Sequence, residues 1–452
     1  MKKRLYTWPK KYAAVLGVVM AGYSGARAQA WVPVGAPGLS DSMAGAPSLA
    51  INTAGTPYVA YSDYATSKAG ATVMSYNGDS WLPVGSTEFS AGSVTQVSIT
   101  ISAGNVPYIA FQDGANGDKA TVMKYNGSSW ATVGTPGFSA GGAAAYNNWI
   151  AVNNSGTPYV AYSDGGNGRK VTVMKYDGAN WVNVGSPGFS ANEAAYVSFA
   201  MDNSGTPYVA YYDVADGTQL MKFNGSDWEP VGNPLVTLEY LDLAIDLSGA
   251  PYLVAGSELN VKKYNSGNWS VVGDSDFAGP AIDDGIAIDP IGTPYVTYSD
   301  LANDNKATVM KYNGANWATV GSPDFSAGQA GMPSIAISPD GLPYVAYQDV
   351  ANGYKITVMQ PGPWLGANNL AGKDADINLF PNPSAGSFTL QITEAVNENV
   401  PVKITDVLSR QVASLNMASN QNNTVLLNVP PGVYIVNAVT KHISLTTKIT
   451  IE

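Results

Sequence analysis

A chain of 452 residues with no cysteine and a single histidine, His442, is left with carboxylates as its main reactive side chains. Thiolate nucleophiles, disulfides and cysteine-ligated zinc are excluded together. His442 falls near the C-terminus, so the preceding region has no Ser-His-Asp triad and no histidine-ligated metal. Two carboxylates stand apart from the pattern around them, Asp242 and Asp283. Paired carboxyl groups roughly 5 to 9.5 Å apart carry out glycoside hydrolysis. Without such a pairing the same residues, with Trp149, Gln96, Asn147, Tyr196 and Tyr240, offer aromatic faces, amides and carboxylates of the kind that bind carbohydrate or peptide. No cofactor or metal is expected.

A second group of carboxylates recurs: Asp63, Asp113, Asp164, Asp213, Asp300 and Asp349, most of them followed five or six residues later by Lys68, Lys119, Lys170, Lys306 or Lys355. A ring of such groups would suit a cation or sugar hydroxyls. Their repetition favours a local duty instead, each Asp accepting backbone N–H groups in its own loop. The Asp-x-Asp/Asn-x-Asp/Asn-Gly spacing that wraps calcium is missing. Phe89, Phe138, Phe189, Phe277 and Phe325 form another column, expected to plug the space between repeats.

The elements that hold these residues are set by repetition. Pro-Tyr, usually as Thr-Pro-Tyr, occurs with its Tyr at 58, 108, 159, 208, 252, 295 and 344, at intervals of 43 to 51 residues. One copy, Gly104 to Gly134, breaks at Gly, Asn, Asp and Pro into short apolar or alternating runs. Its Asn126-Gly127 pair predicts a tight hairpin. Each repeat is thus a four-stranded antiparallel meander, and no sustained 3.6-residue period is present. Seven such repeats predict an all-β fold, a seven-bladed β-propeller.

Aligned first strands place Ser48, Ser98, Trp149, Ser198, Asp242, Gly285 and Ser334 in one column. Trp149 and Asp242 break a ring of small residues, and Gln96, Asn147, Tyr196, Tyr240 and Asp283 lie just upstream, where they would surround the channel mouth. The fourth strands are marked by Trp81, Trp130, Trp181, Trp228, Trp269 and Trp317, one fewer than the repeats need. Trp31 sits in an intact Trp-Val-Pro-Val-Gly, whereas Trp364 comes after Gln360-Pro361-Gly362-Pro363. Proline cannot donate to a strand ladder. The Trp31 strand is therefore expected to complete the seventh blade and close the ring.

Outside the repeats the chain reads differently. Residues 1–28 combine a basic start, an apolar run from Ala13 to Ala21 and an Ala26-Arg27-Ala28 cleavage pattern, the features of a secretory signal peptide. No apolar run is long enough for a transmembrane segment. The net charge of −11, with lysines spread singly, argues against a nucleic-acid partner. The expected domains are the signal peptide, a propeller over 29–366, a linker over 367–375 and a small Ig-like β-sandwich over 376–452.

That last segment carries three ordered motifs: Leu379-Phe380-Pro381-Asn382-Pro383-Ser384, Ile404 to Val412 with Asp406 and Arg410, and Pro431-Gly432-Val433-Tyr434-Ile435-Val436 with Thr447-Lys448-Ile449 after it. They resemble the type A C-terminal sorting domain of the type IX secretion system. Ser409 stands where that family usually has Gly, and Val429-Pro430 replaces its usual Leu-containing pair. The resemblance implies that Pro381, Asn382, Pro383, Gly432, Tyr434 and Lys448 form the sorting motif. It also implies that the type IX secretion machinery is a partner, with passage through the periplasm to the outer-membrane surface of a Gram-negative bacterium or beyond. These features together indicate a secreted or cell-surface propeller that binds an extracellular glycan or protein. The alternative is a carbohydrate-active hydrolase using carboxylates at the channel mouth.

Overall fold

The computed structural model describes residues 29–144, 149–235, 241–256, 259–362, 376–393, 399–406, 410–439 and 444–452. The signal-peptide and linker segments, His442 and Trp364 lie outside them. The chain divides into two compact units, Ala28–Trp364 and a C-terminal one ending at Glu452.

The first unit is a seven-bladed propeller, each blade an antiparallel sheet in sequential order. Blade 1 is Ala44–Ile51, Pro57–Asp63, Gly70–Tyr76 and Trp81–Pro83; blades 2 to 6 repeat it over 94–132, 143–183, 194–230, 241–271 and 281–319. In blade 3 the first strand is represented by Ala143–Ala144 and Ile150–Val152. Blade 7 takes Ala330–Ile337, Pro343–Asp349 and Lys355–Pro361 from one end of the unit and Trp31–Pro33 from the other. Trp31 pairs with Pro361 and Pro33 with Met359, so the ring closes as the tryptophan pattern predicts.

The Pro-Tyr motif has a local cause. Asn52, Ser102, Asn153, Asp202, Asp246, Asp289 and Ser338 end the first strands, and each side chain accepts the backbone N–H four residues on, just before the proline. The turn needs positive φ at the third residue, supplied by Gly in six blades and by Asn105 in blade 2. Proline then enters the second strand with its φ already set.

Blade-to-blade packing is equally repetitive. The indole N–H of Trp130 donates to Val84 O of the preceding blade at 2.6 Å, and its ring stacks on Phe89 at 4.5 Å. Trp181, Trp228 and Trp317 repeat both contacts, and the closing Trp31 does so with Val320 O and Phe325. The phenylalanine column is therefore the inter-blade plug expected of it. Gly85, at φ +77, lies against the Trp130 ring, where a Cβ would sit 3.3 Å from Cδ1. A side chain there would push the blades apart.

The second unit is a two-sheet sandwich. One sheet pairs Asp376–Phe380, Ser387–Thr393 and Asn422–Leu426; the other has the order Gln411–Ala418, Asn399–Asp406, Gly432–Val439, Ser444–Ile451. Alternate residues, among them Phe388, Leu390, Val402, Ile404, Val436 and Ile449, form one core between the sheets.

Candidate functional site

The first strands run around the ring centre, and their small-residue column links neighbouring blades. Ser48 Oγ accepts the N–H of Ile99, Ser198 Oγ that of Leu243, and Ser334 Oγ that of Leu49 across the closing junction. Asp242 does the same job with a longer arm. Its Oδ1 accepts from the Ser198 hydroxyl at 2.7 Å and from its neighbour Leu243 N–H, and its Oδ2 accepts from Ile286 N–H of blade 6 at 3.1 Å.

Upstream of the column, among the described residues, the first strands of blades 1, 2, 4, 6 and 7 carry a bulge, seen as a register shift. The bulged residues Ala46, Gln96, Tyr196, Asp283 and Met332 all have φ between +40 and +53. Non-glycine residues rarely adopt that region. Four of the kinks, at Ala46, Gln96, Asp283 and Met332, border a cavity of about 390 Å³ at this end of the ring, whose walls also include Tyr64, Asp242 and Gln348. Tyr64 and Met332 are 45% and 51% exposed there.

Asp242 and Asp283 bring carboxyl groups to the cavity wall, and Asp284 lies next to Asp283 in the chain without lining it. Asp242 is 3% exposed, and burial pushes its carboxyl up to about 6 against the opposing hydrogen bonds. Asp284, where blades 2 and 4 place Val97 and Val197, is equally buried. Burial holds it well above the usual carboxylate range, with the charges of Asp242 and Asp283 adding to the effect. Its Oδ2 has no hydrogen-bond partner among the described residues. Asp283 is only half-buried, and its Oδ2 accepts Met332 N–H at 3.3 Å. No group of three or more His, Cys, Asp or Glu among the described residues is arranged to hold a metal ion.

The expected site residues therefore separate. Gln96, Asp242 and Asp283 come together on the cavity wall. Trp149 does not: it is 1% exposed, packed in the core between blades, with its indole N–H donating to Gln96 O at 2.8 Å. The aromatic face expected for a ligand is a core filler. Tyr196 packs against the cluster containing Leu241 and Leu243. Asn147 and Tyr240 lie outside the described residues. Sequence reasoning misses Tyr64, Met332 and Gln348 on the cavity wall, and the buried Asp284 next to Asp283. Tyr64 has a signal, since it comes after Asp63 where other blades place Gly114, Gly165, Val214, Leu301 or Val350.

The repeated Asp column is structural. Asp113 accepts from Ala115 N–H, the Asn116 amide and the Thr121 hydroxyl, and Asp164 and Asp300 bond their own loops likewise. Lys119, Lys170, Lys306 and Lys355 face these Asp residues across the strand pair, but none makes an ion pair with them among the described residues.

In the C-terminal unit the motif residues tie its two ends together. Asn382 accepts from Thr450 N–H at 2.9 Å and donates to Lys448 O at 2.8 Å, and the buried Tyr434 hydroxyl donates to Pro430 O. Gly432 pairs with Ile451, and the side chain of Lys448 is exposed, as are Pro381 and Pro383.

No curated protein matches the chain. Among solved structures, a Dyadobacter fermentans protein of unknown function is 10% identical with a TM-score of 0.45, covering 74% of this chain and 98% of its own. A Penicillium chrysogenum alpha-L-arabinanase complexed with arabinobiose is 12% identical at TM-score 0.44 (74% and 98% covered). The SapL1 lectin in complex with alpha methyl fucoside is 14% identical at TM-score 0.44 (63% and 97%). At these scores neither the enzyme's nor the lectin's chemistry carries over. The C-terminal unit is different: residues 378–452 match the family described as the secretion system C-terminal sorting domain, so this segment directs the chain to the cell surface or to secretion.

Proposed function

We propose that the protein is a non-catalytic binding or adhesion module for carbohydrate or protein, displayed outside a Gram-negative cell. In this reading residues 1–28 take the chain into the periplasm, and the sorting domain hands it to the type IX machinery. The observation that carries binding is the cavity of about 390 Å³ in which exposed Tyr64 and Met332 stand beside Gln96, Asp283 and Gln348. Apolar contact area next to a few fixed polar groups suits a bound ligand.

The hydrolase reading has one point in its favour, the Asp242 carboxyl pushed up to about 6, as a general acid requires. Against it, both Asp242 oxygens are already occupied by hydrogen bonds within the ring. A glycan and peptide screen with the exported chain, joined to turnover assays on every hit, separates the two. Binding without turnover, weakened at least about tenfold by Tyr64→Ala or Met332→Ala, is expected, corresponding to about 1.4 kcal/mol. Product release that disappears in Asp242→Asn would replace binding with hydrolysis.

The export half has its own test. Deleting residues 376–452 should keep the propeller folded inside the cell and abolish its appearance outside. Normal secretion of the truncated chain would overturn the assignment.

A further inference from the structure

The face carrying the short turns has a set of equivalent grooves between adjacent blades. They measure about 680 Å³ between blades 1 and 2, about 590 Å³ between blades 2 and 3 and about 400 Å³ between blades 4 and 5. Each takes the Pro-Tyr tyrosine of the earlier blade, Tyr58, Tyr108 or Tyr208, and the hairpin turns of the next. Opposite these tyrosines on the third strand stand Ser75, Lys124 and Lys222.

Two groups shared by the first two grooves are chemically unspent. Neither the Tyr108 hydroxyl nor the Lys124 ammonium makes a hydrogen bond or ion pair among the described residues. Burial raises the Tyr108 pKa, so its hydroxyl stays neutral and able both to donate and to accept. Lys222 lies 5.8 Å from the Tyr208 ring centroid, beside Glu229 on the groove wall, and Lys175 shares its groove with Asp177. Each groove thus sets an ammonium and a phenol side by side, and two of the three add a carboxylate.

We propose that these grooves are repeated saccharide subsites, each holding a neutral sugar unit, so that the propeller grips a polysaccharide multivalently. This rests on the binding-module reading and adds contacts on the face opposite the channel mouth. Sugar hydroxyls donate and accept at once, which suits mixed ammonium, phenol and carboxylate groups better than a single charge does. A peptide added by strand pairing is disfavoured, because the outer strands are three or four residues long and Pro33, Pro83 and Pro230 blunt three of them. Several weak subsites on one rigid ring gain strength from effective concentration when the ligand is a polymer.

The test is affinity electrophoresis of the full chain in β-glucan, mannan, xylan, alginate and pectate, then calorimetry with oligosaccharides cut from any polymer that retards it. At least three oligosaccharides per chain are expected, one for each groove. Tyr108 and Lys124 border two grooves, so the double variant Tyr108→Phe/Lys124→Ala should lose two of these sites, while Lys222→Ala loses one. Lys124 is exposed, so its removal leaves the fold intact, and unchanged melting checks this. One site per chain, lost in Tyr64→Ala and kept in Tyr108→Phe/Lys124→Ala, would overturn the grooves and leave the channel mouth standing. Retardation by alginate and pectate alone, or by no polysaccharide, would also overturn the proposal.

Discussion

Asp242→Ser is expected to raise the stability of the propeller at pH 7.5 by up to about 3 kcal/mol and to change it little at pH 4. Burial sets the sign. Folding lifts the carboxyl from 3.8 to about 6. Below pH 4 folded and unfolded chains both hold the proton, and the group costs nothing. Between about 4 and 6 the unfolded chain releases it while the folded chain keeps it, so stability falls as pH rises. Above 6 both are ionised and the penalty is constant. Serine restores the pattern of Ser48, Ser198 and Ser334, whose hydroxyls accept the next blade's N–H without a buried charge. Chemical denaturation of both chains at the two pH values decides the matter. Equal destabilisation at pH 4 and 7.5 would mean that Asp242 works as a fixed ionic tie rather than as a cost. If the variant is more stable but binds or turns over nothing, stability has been given up for function at that position.

Trp31→Ala should cost about 3 to 5 kcal/mol, the usual loss for removing a large buried aromatic. Trp31 is 7% exposed, stacks on Phe325 at 4.2 Å and donates to Val320 O at 2.6 Å. Trp130→Ala removes the same contacts inside a continuous blade and serves as the control. The two substitutions differ in the edge they leave behind. Losing Trp31 frees the short strand that pairs with Met359 to Pro361 and exposes the third strand of blade 7 as an open edge. The Trp31 variant should therefore form dimers or aggregates by light scattering at protein concentrations where the Trp130 variant stays monomeric. Identical behaviour of the two would refute a special closing role.

Much of the fold is readable in the sequence because propeller blades are built from local rules repeated in order. The Asx turn, the glycine at positive φ and the proline after it are near neighbours along the chain, so the second strand announces itself. Closure is readable for a related reason, since Pro361 and Pro363 spoil one end of the repeat and Trp31-Val32-Pro33 does not. The cavity is harder. Gln96 and Asp283 emerge from counting back from the first-strand column, but their direction is set by a backbone kink that alternation cannot reveal. Trp149 misleads because a bulky residue in a small column signals either exposure or a wider gap between blades, and only packing tells which. Asp284 stays hidden because a carboxylate in an apolar column has no partner in sequence to mark it.

The bulges of the first strands bear on how such a ring changes over time. Among the described residues the same left-handed kink recurs with five different side chains on it: Ala46, Gln96, Tyr196, Asp283 and Met332. The conformational cost, on the order of 1 kcal/mol per residue, is common to any side chain placed there. Exchanging one for another alters what the mouth presents while the strand pairing around it stays put. In the binding-module reading, what the mouth recognises is set at such positions, while the strand pairing that holds the ring is set elsewhere.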